Sequence, residues 1–98
     1  MVISDDYLEE MIRAVRVKQT DTSEEEVTLL IQAAGADISR RGVDKIDPDD
    51  PLTKQAIKLY CKGHYGYDKG NERFLQLYEA LADSMAVSSD YEAGDSDE

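Results

Sequence analysis

The stretch DPLTKQAIKLYCKGHYGY, residues 50–67, most narrowly constrains how this chain can fold. Asp50 is a favourable N-cap, and Pro51 suits the first helical position because its missing N–H needs no partner there. Apolar and small residues then recur at helical spacing and predict a buried face, namely Leu52, Ala56, Leu59, Tyr60, Gly63 and Tyr67. Since glycine costs a helix about 1 kcal/mol relative to alanine, Gly63 predicts close approach of another backbone. We therefore predict a core helix here.

Three further segments carry apolar residues at helical spacing. The first follows Ser4 or Asp5, either of which can cap it, and its stripe comprises Leu8, Met11, Ile12 and Val15. The second has a stripe of Val27, Leu30, Ile31, Ala34 and Ile38. The last is capped by Asn71, and its stripe comprises Phe74, Leu77, Tyr78, Leu81, Ala82 and Met85. With no sustained strand alternation, these patterns predict an all-α fold, a small bundle of about four helices.

The ends of the second helix are marked by short-range signals. Its start has two candidate capping boxes, Thr22 with Glu25 and Ser23 with Glu26. Its end is predicted at Gly42, a typical residue just beyond a helix, and the loop that follows has two apolar residues to hold it down, Val43 and Ile46.

The domain is predicted to span residues 1–87, followed by an acidic tail at 88–98. The tail sequence SSDYEAGDSDE has five carboxylates and no basic residue, a composition typical of a solvated, flexible segment. We expect the domain core to include Ile12, Ile31, Leu59, Tyr60, Leu77, Tyr78 and Leu81.

The charge of the chain restricts its partners. A net charge of −11, from 22 acidic and 11 basic residues, opposes binding to nucleic-acid phosphate and to anionic membranes. No apolar run approaches the ~20 residues of a spanning helix, and the first residues lack a signal peptide's basic and apolar regions. A single cysteine, Cys61, excludes an intrachain disulfide. We expect a soluble protein made in a reducing cytoplasm.

The sequence contains two candidate sites for catalysis or metal binding, and a structural role explains the residues of both better. Cys61 and His64 are three residues apart, but no other His or Cys completes a metal site and no further catalytic partner is evident. The acidic loop residues Asp44, Asp47, Asp49 and Asp50 do not match the EF-hand spacing, and capping and solvation of the next helix explain them better. The sequence therefore predicts no enzyme, with no catalytic residue, metal site or cofactor.

The lysines of the core helix offer a candidate interface. Lys54, Lys58 and Lys62 are spaced by four residues, and like charges at this spacing destabilise a helix by about 0.2–0.5 kcal/mol per pair. One interpretation is a solvated face whose lysine stems cover apolar surface. The other is that the row meets carboxylates of another subunit, either Asp5, Asp6, Glu9 and Glu10 or the line Glu72, Glu79 and Asp83. Tyr65 and Tyr91 would suit such an interface as amphipathic anchors.

Between Tyr7 and Tyr91 four segments follow one another in a distinctive order. They are YLEEMIRAVRVK, DTSEEEVTLLIQAAGADISRRG, PLTKQAIKLYCKGHYGY and ERFLQLYEALADSMAVSSDY. In order, length and local composition they resemble the small head–tail connector proteins of tailed bacteriophages and prophages, also called adaptor or DNA packaging proteins. The end EAGDSDE and the Cys61–His64 pair lie outside the shared pattern.

The resemblance implies a mostly helical virion component at the head–tail junction. Such a protein assembles as a ring below the portal protein, extends the DNA channel and offers a platform to a neck, stopper or tail-completion protein. Double-stranded DNA would pass through without specific binding, which suits a subunit of charge −11. Ring contacts between identical subunits are heterologous, so the resemblance also implies two different subunit faces. The candidate subunit or portal interface comprises Lys54, Lys58, Lys62, Tyr65, Glu72, Glu79 and Asp83.

A different class of function fits the same composition. A small acidic helical regulator, such as an antitoxin-like or DNA-mimic protein, would use its carboxylates to bind a basic partner. The oligomeric state, alone and with purified portal protein, distinguishes this alternative from a connector.

Overall fold

The computed structural model describes residues 3–43, 46–65 and 71–87. Within these ranges the chain forms only helices, in the order α1 (Asp5–Val15), α2 (Asp21–Arg40), α3 (Pro51–Tyr65) and α4 (Asn71–Ala86). The predicted all-α bundle is therefore confirmed. The predicted acidic tail, Tyr67 and Asp44 lie outside the described residues.

The third helix, α3, is the centre of the bundle and contacts each of the other three helices. Its buried residues are Thr53, Ala56, Ile57, Leu59, Cys61 and Gly63. The prediction of a core helix is confirmed, but the assignment of Leu52 to the buried face is wrong. Leu52 is 48% exposed because it lies in the first turn, at the edge of the packed region.

Gly63 allows α4 to approach α3 closely. A β-carbon at this position would clash with the side chain of Leu75 and lie 3.4 Å from the carbonyl oxygen of Asn71. The expected close approach is present, although the nearest group is the Leu75 side chain and not backbone. A larger residue at position 63 would require the Leu75 side chain to shift.

Most of the predicted helix ends agree with the structure. The Ser4 hydroxyl accepts a hydrogen bond from the Tyr7 N–H at 3.1 Å, and the Asp50 carboxylate accepts one from the Thr53 N–H at 3.0 Å. Gly42 follows α2 with a φ of 115°, a conformation that glycine adopts without strain. Both helix starts and the end of α2 therefore lie where their local signals placed them.

The predicted capping boxes of α2 are wrong. The helix begins at Asp21, and Thr20 is its N-cap. The Thr20 hydroxyl accepts from the Ser23 N–H at 3.0 Å, while the Ser23 hydroxyl accepts from the Thr20 N–H at 2.8 Å. Ser23 is buried, and its hydroxyl also donates a hydrogen bond to the Lys18 carbonyl at 2.8 Å. Ser23 is therefore the third helical residue that completes the capping box. Asn71, predicted as the cap of α4, is the first residue of that helix.

The core draws residues from every helix and from Val43 after α2. Ile12, Ile31, Leu59 and Tyr78 are buried as predicted, whereas Tyr60 and Leu81 are half-buried. Leu77 is 45% exposed, so its assignment to the core is wrong. The reason is that α4 packs chiefly against α3, and its buried face, formed by Tyr78, Ala82 and Met85, does not include Leu77.

No helix among the described residues combines the length and the apolar composition that crossing a membrane requires.

Candidate interaction surfaces

The lysine row on α3 is largely engaged within the subunit. Glu10 on α1 contacts two of the lysines, with its carboxylate oxygens 3.2 Å from Lys54 Nζ and 2.9 Å from Lys58 Nζ. Lys54 Nζ also lies 5.4 Å from the centroid of the Tyr7 ring. Hydrogen bonds from Lys58 and Lys54 lower the pKa of Glu10. The first two lysines therefore connect α3 to α1 in the same chain.

The third lysine of the row faces a different helix. Lys62 Nζ lies 5.3 Å from the centroid of the Phe74 ring on α4, a distance at which a cation is attracted to an aromatic face. The row is therefore divided between α1 and α4 and does not form one uniform cationic surface.

The other candidate interface residues lie on α4 and at the end of α3. Asp83 accepts a hydrogen bond from the Arg41 guanidinium at 2.8 Å, while Glu72 and Glu79 are exposed on α4. Tyr65 is half-buried at the end of α3, beside residues of α2. The seven residues proposed from the sequence therefore lie on two helices, four of them on α3 and three on one face of α4.

A polar cluster joins the end of α2 to α4. The Asp37 carboxylate is only 15% exposed and accepts hydrogen bonds from the Tyr78 hydroxyl at 2.6 Å and from Arg41 Nε at 2.8 Å. Desolvation raises the pKa of Asp37, but the hydrogen bonds from Tyr78 and Arg41 outweigh it and lower the pKa overall. The guanidinium carbon of Arg41 also lies 5.4 Å from the centroid of the Tyr78 ring. Because every polar group of the cluster faces another, we interpret it as a connection between helices.

Replacing Tyr78 by phenylalanine is expected to lower the free energy of unfolding by about 1.5–3 kcal/mol at neutral pH, since it removes a hydrogen bond to a charged group. A lowered folded-state pKa means that Asp37 stabilises the fold above its unfolded-state pKa of about 3.9, and this contribution is lost as the pH falls through the folded-state pKa. The difference between wild type and variant should therefore shrink at acidic pH. Urea titrations at several pH values measure it.

The control for this prediction is the same substitution in an Asp37→Asn background. There the loss of the Tyr78 hydroxyl should cost clearly less, because the charged acceptor is already absent. Equal costs in both backgrounds would show that Tyr78 stabilises the fold through its ring alone.

The Cys61–His64 pair does not form a nucleophile and base. Cys61 is fully buried, and desolvation raises the pKa of its thiol to about 12, so the thiol is protonated at neutral pH. His64 is exposed, and its ring centroid lies 4.2 Å from that of Tyr60. Across residues 3–43, 46–65 and 71–87, no group of three or more His, Cys, Asp or Glu side chains is arranged to hold a metal ion.

The sequence interpretation missed a surface groove along α1 and α2, which we call the acidic groove. Its apolar lining consists of Leu8, Leu29, Leu30 and Tyr65. Around this lining stand the carboxylates of Asp5, Glu9, Asp21, Glu24, Glu25 and Glu26. Leu29 is 69% exposed and lines two adjoining open cavities, whose volumes are about 640 and 470 Å³. One signal was available, since Leu29 is an apolar residue off the buried stripe of its helix and follows a run of three glutamates.

Comparisons of the chain with protein-family models, with curated proteins and with solved structures find no match. The fold defines a small all-α bundle, and its function must be inferred from its surfaces.

Proposed function

We propose that this protein is a head–tail connector, a ring-forming virion component that docks under the portal protein and joins the head to the tail. The observation that supports this role is the distribution of exposed leucines over three helices. Leu29, Leu52 and Leu77 lie on α2, α3 and α4. A subunit that sits in a ring between two other parts of a particle needs several contact surfaces, whereas a simple symmetric dimer needs one.

The geometry along α3 separates two of these surfaces. Leu52 lies in the first turn of α3, while Leu29 lies beside His64 and Tyr65 at the other end of that helix. At a rise of about 1.5 Å per residue, the two ends of α3 are about 20 Å apart. Their surroundings also differ, since carboxylates ring Leu29. Such an asymmetry suits contacts in which one face of a subunit meets a different face of its neighbour.

The charge of the subunit supports a conduit for DNA in preference to a DNA-binding protein. A ring of subunits, each of charge −11, would repel phosphate along the whole channel. The lateral contacts of the ring are expected on the exposed face of α4 that carries Glu72, Glu79 and Asp83. Each contact is weak by itself, because exposed ion pairs contribute about 0–1 kcal/mol, and docking on the portal would raise the effective concentration of subunits.

Co-sedimentation with DNA-filled, tailless heads tests this role. We expect the wild-type protein to sediment with the heads and the Glu79→Lys variant to be largely lost from them at physiological salt. The matched control carries Ala33→Lys and Ala36→Lys, which change the net charge by the same amount at exposed positions of α2. The control should sediment like the wild type.

Two results would contradict the connector role. The first is a wild-type protein that stays in the supernatant although the heads retain their portals. The second is a stable monomer by light scattering that binds no purified portal protein, which would favour the acidic-regulator alternative.

A further inference from the structure

The acidic groove combines an exposed apolar anchor with a ring of like charge. Leu29 is more exposed than its neighbour Leu30 on α2, and Leu8 of α1 lines the groove next to it. Leu30 and Tyr65 extend the apolar lining to the end of α3. An apolar strip with a charged rim is the usual anatomy of an interaction site, in which the apolar centre supplies affinity and the rim supplies selectivity.

The rim determines the charge of the occupant. Six carboxylates from α1 and α2 border the groove, and they are Asp5, Glu9, Asp21, Glu24, Glu25 and Glu26. Among the lining residues that the structure describes, the only basic group is the His64 imidazole. A complementary partner must therefore bring cations that flank an apolar stripe. An amphipathic helix with leucine-like anchors on one face and lysine or arginine beside them meets both requirements.

Neither a groove-to-groove dimer nor the acidic end of the chain supplies this partner. Two copies joined groove to groove would place six carboxylates against six, which opposes a symmetric dimer through this surface. The segment 88–98 carries five carboxylates and no basic residue, so its charge opposes its binding to the groove. Two of the lysines of α3 are already paired with Glu10.

We propose that the acidic groove binds a basic amphipathic helix of another protein, with Leu29 as the central apolar contact. This inference goes beyond the connector role and holds independently of it, because a connector and an acidic regulator could each use the groove. Its partner class is defined by chemistry alone, as a helical segment with an apolar face bordered by lysine or arginine.

A designed peptide tests the proposal directly. The probe is a fluorescein-labelled peptide of about 18 residues, five helical turns, with leucine at the positions of one face and lysine elsewhere. Two comparison peptides isolate the requirements. One has the same composition in an order that spreads leucine around the helix, and the other carries glutamate in place of lysine. Fluorescence anisotropy at physiological salt should show binding of the first peptide only.

Variants of the protein locate the binding surface. Leu29→Ser should weaken binding of the amphipathic peptide at least about tenfold, as expected for a central anchor. Leu77→Ser changes a comparably exposed leucine on α4 and should leave the affinity unchanged. Glu24→Gln with Glu25→Gln should weaken binding and flatten its salt dependence, while Glu72→Gln with Glu79→Gln should do neither. Unchanged circular dichroism and melting temperature confirm that each variant is folded.

Several outcomes would overturn the proposal. Absence of binding to the amphipathic peptide would do so, as would equal losses from Leu29→Ser and Leu77→Ser. If the peptide with leucine spread around the helix binds equally well, the groove is a nonspecific acidic surface. Light scattering adds one more outcome. If the wild type self-associates and Leu29→Ser abolishes that association, a second copy occupies the groove and not a basic helix. None of these results depends on heads or portals, so they are separate from failure of the connector role.

Discussion

Replacing Ile57 by alanine is expected to lower the free energy of unfolding by about 2–5 kcal/mol. Ile57 is fully buried in the middle of α3, the helix that contacts all the others. The truncation removes three carbon atoms and leaves a cavity. The surrounding helices could fill that cavity only by moving together. Urea titration followed by circular dichroism measures the loss. We expect the midpoint to fall while the slope of the transition stays constant.

The matched control for this prediction is Leu52→Ala on the same helix. Leucine and isoleucine lose the same number of carbon atoms, but Leu52 is 48% exposed, so the cost should stay below about 1 kcal/mol. Leu81→Ala, for which the sequence alone predicts a core-sized loss, should fall between the two because Leu81 is half-buried. Similar losses for Ile57→Ala and Leu52→Ala would mean that α3 is not packed as described.

Reversing the charges of Lys54 and Lys58 to glutamate is expected to lower the free energy of unfolding by about 2 kcal/mol. Each half-buried ion pair with Glu10 is worth about 0.5 kcal/mol, and each new glutamate opposes Glu10 by a similar amount. From the sequence alone, reversal of the whole lysine row is predicted to leave the fold intact. The intramolecular pairing with Glu10 adds a cost in stability that the sequence alone does not predict.

A charge swap separates pairing from other effects of the substitutions. Adding Glu10→Lys to the double variant restores opposite charges between α1 and α3, and it should recover most of the lost stability. The double variant should also gain stability as salt screens the repulsion. If Glu10→Lys lowers stability further, the contacts between Glu10 and the two lysines do not hold α1 to α3.

The helices were predictable from the sequence because the interactions that specify them are short-range. Apolar spacing and caps act within a few residues, so Ser4, Asp50 and Gly42 mark helix ends wherever those helices pack. The error at α2 has the same origin. Its start, TDTSEEE, offers several possible N-caps within a few residues. In the structure Thr20 is the N-cap, and its capping-box partner Ser23 is buried.

Only the tertiary structure decided which apolar residues are covered. Periodicity assigns a residue to one face of a helix, but a neighbouring helix covers just part of that face. Leu52 and Leu77 have helical spacing equal to that of buried residues and still face outward. Leu29 shows the converse, since an off-stripe leucine became the centre of a groove once α1 and the end of α3 came near it.

The sequence by itself determined the helical class, most helix ends, the central position of α3 and the strongly acidic surface. Those properties follow from interactions between near neighbours or from composition. The tertiary structure alone decided the partners of charged side chains, because the Glu10–Lys54 and Asp37–Tyr78 contacts join residues 44 and 41 positions apart. Such contacts depend on the relative placement of whole helices, which sequence spacing does not encode.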